Sequence, residues 1–233
     1  MSDSKVVAIE HVQFSHAPWT WNFAEQRRAD INAHFTMCRD KTPDLWNGRV
    51  LLVNDVALDG AALRGNFFET DFASFIAWRD WGFPDVGVTN LFAMGAIRSA
   101  DGAYLLGVMG AHTVNPGRVY FPAGTPDPDD ISGNSVDLAG SVLREVEEET
   151  GLTAADFIVS PDWTAVFVGR RIALMRSLQA RAEAAPLREK ILSYLSHQSQ
   201  PELTDIRIVR DRRDFDPNMP EFMFAFLAQA LSE

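Results

Sequence analysis

The sequence predicts an α/β fold built from antiparallel hairpins and amphipathic helices. An apolar, β-like run at 86–98 is followed by a turn and by a second strand-like run at 103–109, which indicates a hairpin. The segment 137–151 has the apolar spacing of a helix, with Asp at its start and Gly at its end. A further hairpin is expected at 165–178, where strands at 165–168 and 172–178 flank Gly169.

The first 85 residues contain elements of both kinds. We expect strands at 6–14, 50–58 and 62–67, and helices at 23–35 and from Thr70 to Trp78. Asp59-Gly60 is a favoured hairpin pair, and Gly82-Phe83-Pro84 should end the second helix. We therefore predict a boundary near residue 85, with an N-terminal extension at 1–85 and a catalytic domain at 86–233.

The rest of the chain is predicted as short strands, a polar loop and two helices. The expected elements are a strand at 118–121, a loop at 124–135, a helix at 186–197, a strand at 206–209 and a helix at 220–231.

The charge and composition exclude some functions and permit others. The formal charge is −11, which argues against general nucleic-acid binding because that needs a basic surface. An anionic small-molecule substrate remains compatible, since acidic side chains can collect a divalent cation. No apolar run approaches the roughly 18 residues of a membrane span. Met1 to Lys5 lacks the basic start and apolar stretch of a signal peptide, so we expect a cytoplasmic protein without a membrane partner.

Cys38 is the one cysteine of the chain, so it cannot form an intramolecular disulfide. It could act as a nucleophile, but nothing around it indicates that role. It lies in a helix-like stretch near Phe35 and Met37, which favours a buried core thiol.

The segment 144–152 contains the residues that point to chemistry. A helix turns about 100° per residue, so Glu145, Glu148 and Glu149 share one face while Glu147 points nearly the opposite way. Three carboxylates on one face repel one another, and a hard cation such as Mg²⁺ or Mn²⁺ would relieve that repulsion. The alternative is an acidic helix face that water simply solvates.

This segment resembles the second half of the Nudix box, G-x5-E-x7-R-E-U-x-E-E-x-G-U, in which U is aliphatic. Seven residues match its positions from the Arg onward: Arg144, Glu145, Val146, Glu148, Glu149, Gly151 and Leu152. Phe121-Pro122-Ala123-Gly124 resembles the strand end and opening Gly of the box. The resemblance covers residues 86–180.

The first half of the box departs from the family pattern in two ways. The pattern G-x5-E-x7-R puts the opening Gly 14 residues before the Arg, whereas Gly124 lies 20 residues before Arg144, so the loop is about six residues longer. The position of the first Glu is occupied by Val136, and the neighbouring Asp137 is better placed as a helix cap. The candidates to replace that Glu, in bracing the loop or in holding a metal-bound water, are Asp127, Asp129 and Asp130, unless they only form a solvated turn.

The resemblance implies an α/β/α sandwich with a mixed sheet and a metal-dependent hydrolase of a diphosphate bond. Carried over residue by residue, it makes Glu148 and Glu149 metal ligands, and Glu145 either a ligand or the base for the attacking water. The main-chain carbonyl of Ala123 should also reach the metal. Arg144 should orient Glu145 through a bidentate contact.

Residues after the box supply further candidates. Many family members add an acidic residue from a later loop, and Glu202 is our candidate, with Asp205 second; the alternative is that both are plain surface acids. Arg170 and Arg171, at the turn of the second hairpin, could clamp a phosphate or be solvated. His112 could contact substrate, although a surface loop histidine is the simpler interpretation.

We expect Mg²⁺ (or Mn²⁺) and a small-molecule substrate, a nucleoside diphosphate derivative that yields a nucleoside monophosphate and a phosphorylated moiety. The extension and the 48–75 stretch are weakly similar to members that cleave nucleotide sugars, and such an extension could also form a homodimer. The alternatives are a coenzyme A diphosphatase and a catalytically inactive Nudix-fold protein that binds a nucleotide.

Overall fold

The computed structural model describes residues 4–43 and 45–232. Three of the residues behind the expectation of no signal peptide, Met1, Ser2 and Asp3, lie outside this part of the chain, as do Asp44 and Glu233. No helix within the described residues is long and apolar enough to cross a membrane.

Thirteen strands and six α-helices form the described part of the chain. The strands are β1 (Lys5–Ile9), β2 (His11–His16), β3 (Arg49–Asp59), β4 (Ala62–Asp71), β5 (Val88–Arg98), β6 (Tyr104–Met109), β7 (Val119–Tyr120), β8 (Ala123–Gly124), β9 (Ile131–Ser132), β10 (Ser135–Val136), β11 (Phe157–Val168), β12 (Arg171–Ala180) and β13 (Leu203–Val209). The helices are α1 (Asn22–Gln26), α2 (Arg28–Lys41), α3 (Phe72–Asp80), α4 (Leu138–Thr150), α5 (Ala184–Leu195) and α6 (Glu221–Ala230).

The strands form one mixed sheet whose main path runs β1-β11-β12-β5-β3-β4-β2-β10-β9. Strand β5 is the centre of this sheet. It pairs in parallel with β12 over nearly its whole length and antiparallel with β3 at its first residues. It also pairs antiparallel with β6 and with β8. All the elements that carry the candidate site are therefore attached to β5 directly or through one neighbour.

Helices cover both faces of the sheet around β5. Gly95 lies under α4, where an added Cβ would stand 2.4 Å from a methyl group of Val146, so only glycine permits this close packing. Phe92 faces the other way and contacts Phe222 of α6, with ring centroids 5.3 Å apart. Alternate residues of a strand point to opposite faces. The predicted α/β fold with a mixed sheet between helical layers is therefore confirmed.

The strands of the N-terminal extension separate two apolar clusters. Leu51, Val53 and Phe67 face the main core that also includes β5 and α4. Leu52 and Phe68 face a second cluster, formed with α1, α2 and α3 around the fully buried Trp78. The predicted boundary near residue 85 thus lies between segments that share one sheet, and it stays a prediction.

Three of the predicted elements in the extension differ from the structure. The expected single strand at 6–14 is two strands interrupted at Glu10, and the expected helix at 23–35 is two helices that meet at Arg27. Thr70 does not cap α3, because it still pairs with Val50 in the sheet. The cap is Asp71, whose side chain accepts from the Ser74 backbone N–H at 2.9 Å.

The loop before α4 has more structure than the sequence predicts. Residues 128–130 form a 3-10 turn, and β9 and β10 form a small hairpin around Gly133, which has a φ of 61°. Ser135 of this hairpin pairs with Ser15 of β2, so the additional residues of the loop rest on the extension. The predicted cap of the following helix is confirmed, since the Asp137 side chain accepts from the Gly140 N–H at 2.9 Å.

Candidate metal centre

Helix α4 places its glutamates at different depths. Val142 and Val146 are fully buried against the sheet, and this contact fixes the rotation of the helix. Glu149 lies beside them and is only 5% exposed. The side chain of Glu145 is 20% exposed and that of Glu148 is 62% exposed. The shared acidic face predicted from the sequence therefore runs from the protein interior to solvent.

Glu149 is the most deeply buried acid of this helix. Its Oε1 accepts from the Ala123 backbone N–H at 3.2 Å, while its Oε2 is buried without a hydrogen-bond partner in the described residues. Burial raises the pKa of Glu149 well above its ordinary value of 4.5, because no solvent is left to stabilise the charged form. The Ala123 N–H opposes this rise only in part. Glu149 Oε2 is therefore available to a metal ion, since no described residue donates a hydrogen bond to it.

Glu145 stands one turn earlier, against the opening of the loop. Burial, followed by repulsion from Glu148, raises its pKa to about 7, and Arg144 opposes the rise. The backbone of Gly124 touches this carboxylate, since a Cβ added there would stand 2.3 Å from Glu145 Oε1. The opening glycine of the predicted box is thus needed so that the main chain can approach the acid.

Glu202 reaches the same region from the far end of the chain. It precedes β13, and its carbonyl oxygen accepts from the Gly110 N–H at 2.7 Å. Its carboxylate contributes to the raised pKa of both Glu145 and Glu149. Asp205, the second candidate, is instead paired with Arg188 at 2.6 Å. The structure therefore brings Glu202, and not Asp205, to the glutamates of α4.

Tyr120 is a neighbour of this cluster that the sequence did not reveal. Its hydroxyl accepts from the Asn115 side-chain amide at 3.3 Å. Burial above all raises the pKa of Tyr120 to about 12, and the negative charges of Glu149 and Glu202 add to the rise. The sequence around Tyr120 contains no pattern that predicts this position, because only the fold brings the tyrosine near the acids.

Arg144 divides its guanidinium among three carboxylates. Its shortest contact is to Asp130, at 2.9 Å, and the contacts to Glu145 and Glu148 are 3.5 and 3.8 Å. The predicted bidentate contact with Glu145 is therefore wrong, because a fork-like pair needs two short N–H···O bonds. Arg144 still lies beside Glu145 and lowers the pKa of that carboxyl.

Asp130 ties the lengthened loop to the helix. Its side chain is 1% exposed, and one oxygen pairs with Arg144 while the other accepts from the Asp127 N–H at 3.1 Å. Val136, at the position of the missing Glu, is 8% exposed and packs into the main core. Of the three aspartates considered as replacements for that Glu, Asp130 is the one that makes the bracing contact with α4.

The remaining candidates are placed around the hairpin ends. The Arg170 guanidinium donates to the Val86 carbonyl, so it is already engaged with the segment just before β5. Arg171 is half-buried, and its Nε has no hydrogen-bond partner among the described residues. Burial lowers the pKa of Arg171, against an opposing contribution from Glu221. His112 lies against Gly110, near the backbone of Glu202.

The donors gathered around α4 fit a hard divalent cation. They are carboxylate oxygens, one of them buried and without a partner, and such oxygens are the ligands that Mg²⁺ prefers. Within the part of the chain that the structure describes, these donors include no cysteine or histidine, so the donor set gives no preference for a softer metal.

No protein-family model and no curated protein sequence matches this chain. Several solved structures do resemble it. The MutT protein from Methanosarcina mazei Go1 is 18% identical to this chain and has a TM-score of 0.42. The matched region spans 61% of this chain and 92% of the MutT protein. The chain is similar to Nudix hydrolases.

Two further structures are similar over the same share of the chain. The Nudix hydrolase RenU from M. smegmatis is 16% identical, covers 61% of this chain and 84% of its own, and has a TM-score of 0.38. A C. elegans Ap4A hydrolase is 17% identical, covers 60% of this chain and 90% of its own, and has a TM-score of 0.37. At this identity and these TM-scores, the likeness to Nudix hydrolases carries no inference about substrate or activity.

Proposed function

We propose that this protein is a Mg²⁺-dependent Nudix-type hydrolase that cleaves the diphosphate bond of a nucleoside diphosphate derivative. The observation that carries the proposal is the carboxylate group of Glu149, Glu145 and Glu202. Burial raises the pKa of Glu145 and of Glu149, and one carboxylate oxygen of Glu149 is buried without a hydrogen-bond partner in the described residues. Such an arrangement is unfavourable without a cation.

A divalent cation would remove the cost of burying these acids. Glu149 and Glu148 are the proposed ligands from the helix, with the carbonyl of Ala123 and the carboxylate of Glu202 from the two loops. Mg²⁺ usually takes one or two carboxylates and keeps several waters, so not every acid needs to touch it. When bound, Mg²⁺ would neutralise diphosphate charge and lower the pKa of a coordinated water.

Glu145 is proposed as a ligand or as the base that accepts a proton from the attacking water. A pKa of about 7 suits a base that works near neutral pH, because the group is then partly ionised and still able to hold a proton. Asp130 holds Arg144, which in turn borders Glu145, so both are proposed as positioning residues.

The proposed substrate is a nucleoside diphosphate sugar or a related compound. Arg171 is the proposed phosphate contact, because its Nε is a donor with no partner in the described residues. Arg170 is a weaker candidate, since its guanidinium already donates to the Val86 carbonyl. A cytoplasmic location and a homodimer formed by the extension remain predictions.

The rival proposal of an inactive nucleotide-binding protein is less well supported. A protein without catalysis would have no reason to keep several acids close together. Glu145 and Glu149 nevertheless lie close to each other, although burial makes the charged form of each carboxyl unfavourable. We therefore favour an enzyme.

Glu149→Gln tests the proposed site. The change keeps the shape of the side chain and removes its charge, so the fold should survive while Mg²⁺-dependent turnover falls by about 100-fold or more. Glu147→Gln is the matched control, because Glu147 lies on the same helix but is exposed and points away. Equal turnover by both variants at saturating Mg²⁺ would overturn the site.

A competition assay tests the substrate separately. UDP-glucose, ADP-ribose, coenzyme A and a deoxynucleoside triphosphate are offered at equal concentration, and kcat/KM is compared because that ratio measures discrimination. We expect one of the first two to be preferred. A preference for coenzyme A or for the triphosphate would refute the substrate class and leave the hydrolase proposal standing.

A further inference from the structure

A second group of ligand-type side chains lies in the extension, away from the acids of α4. His34 and Cys38 are four residues apart on α2, so they project from the same face of the helix. Asp80 is the last residue of α3 and faces them. One ligand atom from each of the three lies within 4.8 Å of the others, and no other trio of His, Cys, Asp or Glu in the described residues lies so close.

We propose that His34, Cys38 and Asp80 form a second metal site, for Zn²⁺ or a similar thiophilic divalent cation. The distances carry this proposal. Zinc binds nitrogen at about 2.0–2.1 Å and sulfur at about 2.3 Å, so tetrahedral geometry sets the two ligand atoms about 3.6 Å apart. In this structure His34 Nε2 and Cys38 Sγ are 3.6 Å apart. The pair needs no movement to share one ion.

The third ligand requires a small adjustment. His34 Nε2 and Asp80 Oδ2 are 2.9 Å apart, which is the distance of a hydrogen bond. Two ligands of one zinc ion lie about 3.3 Å apart at the tetrahedral angle, so the side chains would separate by a few tenths of an ångström. The ion would take the place of the proton that the two atoms now share, and the thiol would lose its proton.

Neighbouring side chains already hold the ligands in this orientation. The Arg79 Nε–H donates to Asp80 Oδ1 at 2.9 Å, which leaves Oδ2 directed at His34. The Trp81 ring packs edge-on against the His34 ring, with centroids 5.7 Å apart. Contacts of this kind fix the orientation of metal ligands and strengthen binding.

The ligand types select a different metal from the one proposed at α4. A thiolate and an imidazole favour Zn²⁺ over Mg²⁺, whereas carboxylates and waters are the usual ligands of Mg²⁺. The side chains of His34 and Asp80 are 21% and 31% exposed, so an ion can enter and a water can complete the coordination. The bound ion would join α2 to α3 and stabilise the helical layer of the extension.

Cobalt substitution tests the site with a readout independent of catalysis. Co²⁺ is added to the whole metal-free chain under reducing conditions, and the thiolate-to-cobalt charge-transfer absorption is recorded. We expect the band in the wild-type protein and in Glu149→Gln, with one equivalent of Zn²⁺ abolishing it. Cys38→Ser should lose the band and bind one ion fewer per chain at equilibrium dialysis.

The other two ligands have their own variants. His34→Ala and Asp80→Asn should each weaken Co²⁺ binding by about 10-fold or more. His11→Ala is the matched control, because His11 is an exposed histidine on β2. Zn²⁺ should also raise the Tm of the wild type more than that of Cys38→Ser, since a ligand that binds only the folded state stabilises it.

Two results would overturn the proposal. One is the absence of a charge-transfer band in wild-type protein that is folded by circular dichroism. The other is a band that His34→Ala and Asp80→Asn leave unchanged, which would mean that the thiol binds cobalt alone. Neither result would bear on the hydrolase proposal, because the two sites share no residue.

Discussion

Two buried glutamates at the candidate metal centre have ionised forms that the surrounding protein destabilises. Glu149 and Glu145 are carboxyls that burial keeps protonated at pH values where exposed glutamates are charged. Their charge state therefore couples three properties that are usually separate, namely folding stability, metal affinity and catalysis.

The first prediction concerns the pH dependence of the metal-free protein. A carboxyl with a raised pKa in the folded state binds protons that the unfolded chain has already released. The free energy of unfolding should therefore fall as pH rises from 4.5 through about 7, the range set by Glu145. Glu145→Gln should reduce this fall by up to about 3 kcal/mol, since one pKa unit corresponds to about 1.4 kcal/mol.

Urea unfolding in EDTA at pH 5 and at pH 8 measures this effect. Mg²⁺ should restore the stability lost at pH 8 in the wild type, because only the ionised acids bind it. Identical pH dependence in the wild type and in Glu145→Gln would contradict the assignment.

The second prediction concerns Gly124, whose backbone contacts the Glu145 carboxylate. Gly124→Ala would push that carboxylate aside, because the new methyl group would stand 2.3 Å from Oε1. We expect Mg²⁺ affinity, measured by calorimetry, to fall about 10- to 100-fold. Gly87→Ala is the control, since its nearest contact would be a movable Asp85 side chain at 3.2 Å. A Gly124→Ala protein with wild-type affinity would show that the glycine is dispensable.

At the scale of elements, we propose that Asp130 braces the long loop in place of the Glu of the family pattern. Val136 fills the core where the family pattern has Glu, and Asp130 pairs with Arg144 from a different position in the loop. The loop can do this because its added residues form a hairpin that rests on β2.

Val136→Glu tests this exchange by restoring the family residue. The new carboxylate would be buried among apolar side chains, so we expect the free energy of unfolding to fall by about 2–4 kcal/mol. Ser135→Glu, on the exposed side of the same hairpin, should change stability little. If Val136→Glu is as stable as the wild type and more active, Asp130 has not taken over the role of the Glu in the family pattern, and the inferred exchange is wrong.

Asp130→Asn removes the charge that holds Arg144. Because Arg144 stays partly exposed, the loss of stability should be modest, about 1–3 kcal/mol. Turnover should fall as well, with kcat affected more than KM, since the residue positions the loop and does not touch substrate. Asp129→Asn, an exposed neighbour, is the control. A wild-type kcat in Asp130→Asn would leave the ion pair without a positioning role.

At the scale of the whole molecule, the extension and the proposed catalytic domain share one sheet. Strand β1 pairs with β11, and β3 pairs with the start of β5. Residues of the extension such as Ile9 and Val53 also belong to the main core. This arrangement couples the stability of the two parts.

A fragment of residues 86–233 tests how far the predicted boundary divides the chain. Without β1 and β3 it would expose the edges of β11 and β5 and part of the main core, so we expect it to aggregate or to lack a cooperative thermal transition. The full chain should unfold in one transition by circular dichroism. A monomeric fragment with a sharp melting curve would instead show an independent domain.

Local features were predictable from the sequence by itself. The caps of α4 at Asp137 and Gly151, the acidic face of its glutamates and the hairpin around Gly169 depend on residues a few positions apart. Their signals are the spacing of apolar side chains and the presence of Asp or Gly, which act through the local backbone. The α/β fold followed from the same local patterns.

Only the tertiary structure decided which distant residues meet. Glu202 comes close enough to Glu149 for its charge to raise the pKa of that carboxyl, Asp130 pairs with Arg144, and Tyr120 is buried near the same acids. Asp80 faces His34 from 46 positions away. Nothing in the sequence around each residue encodes these contacts, because they depend on the order of the strands and on the packing of α3 and α4 against other layers. The sequence determined the ligand types, and the packed sheet determined which of them share a site.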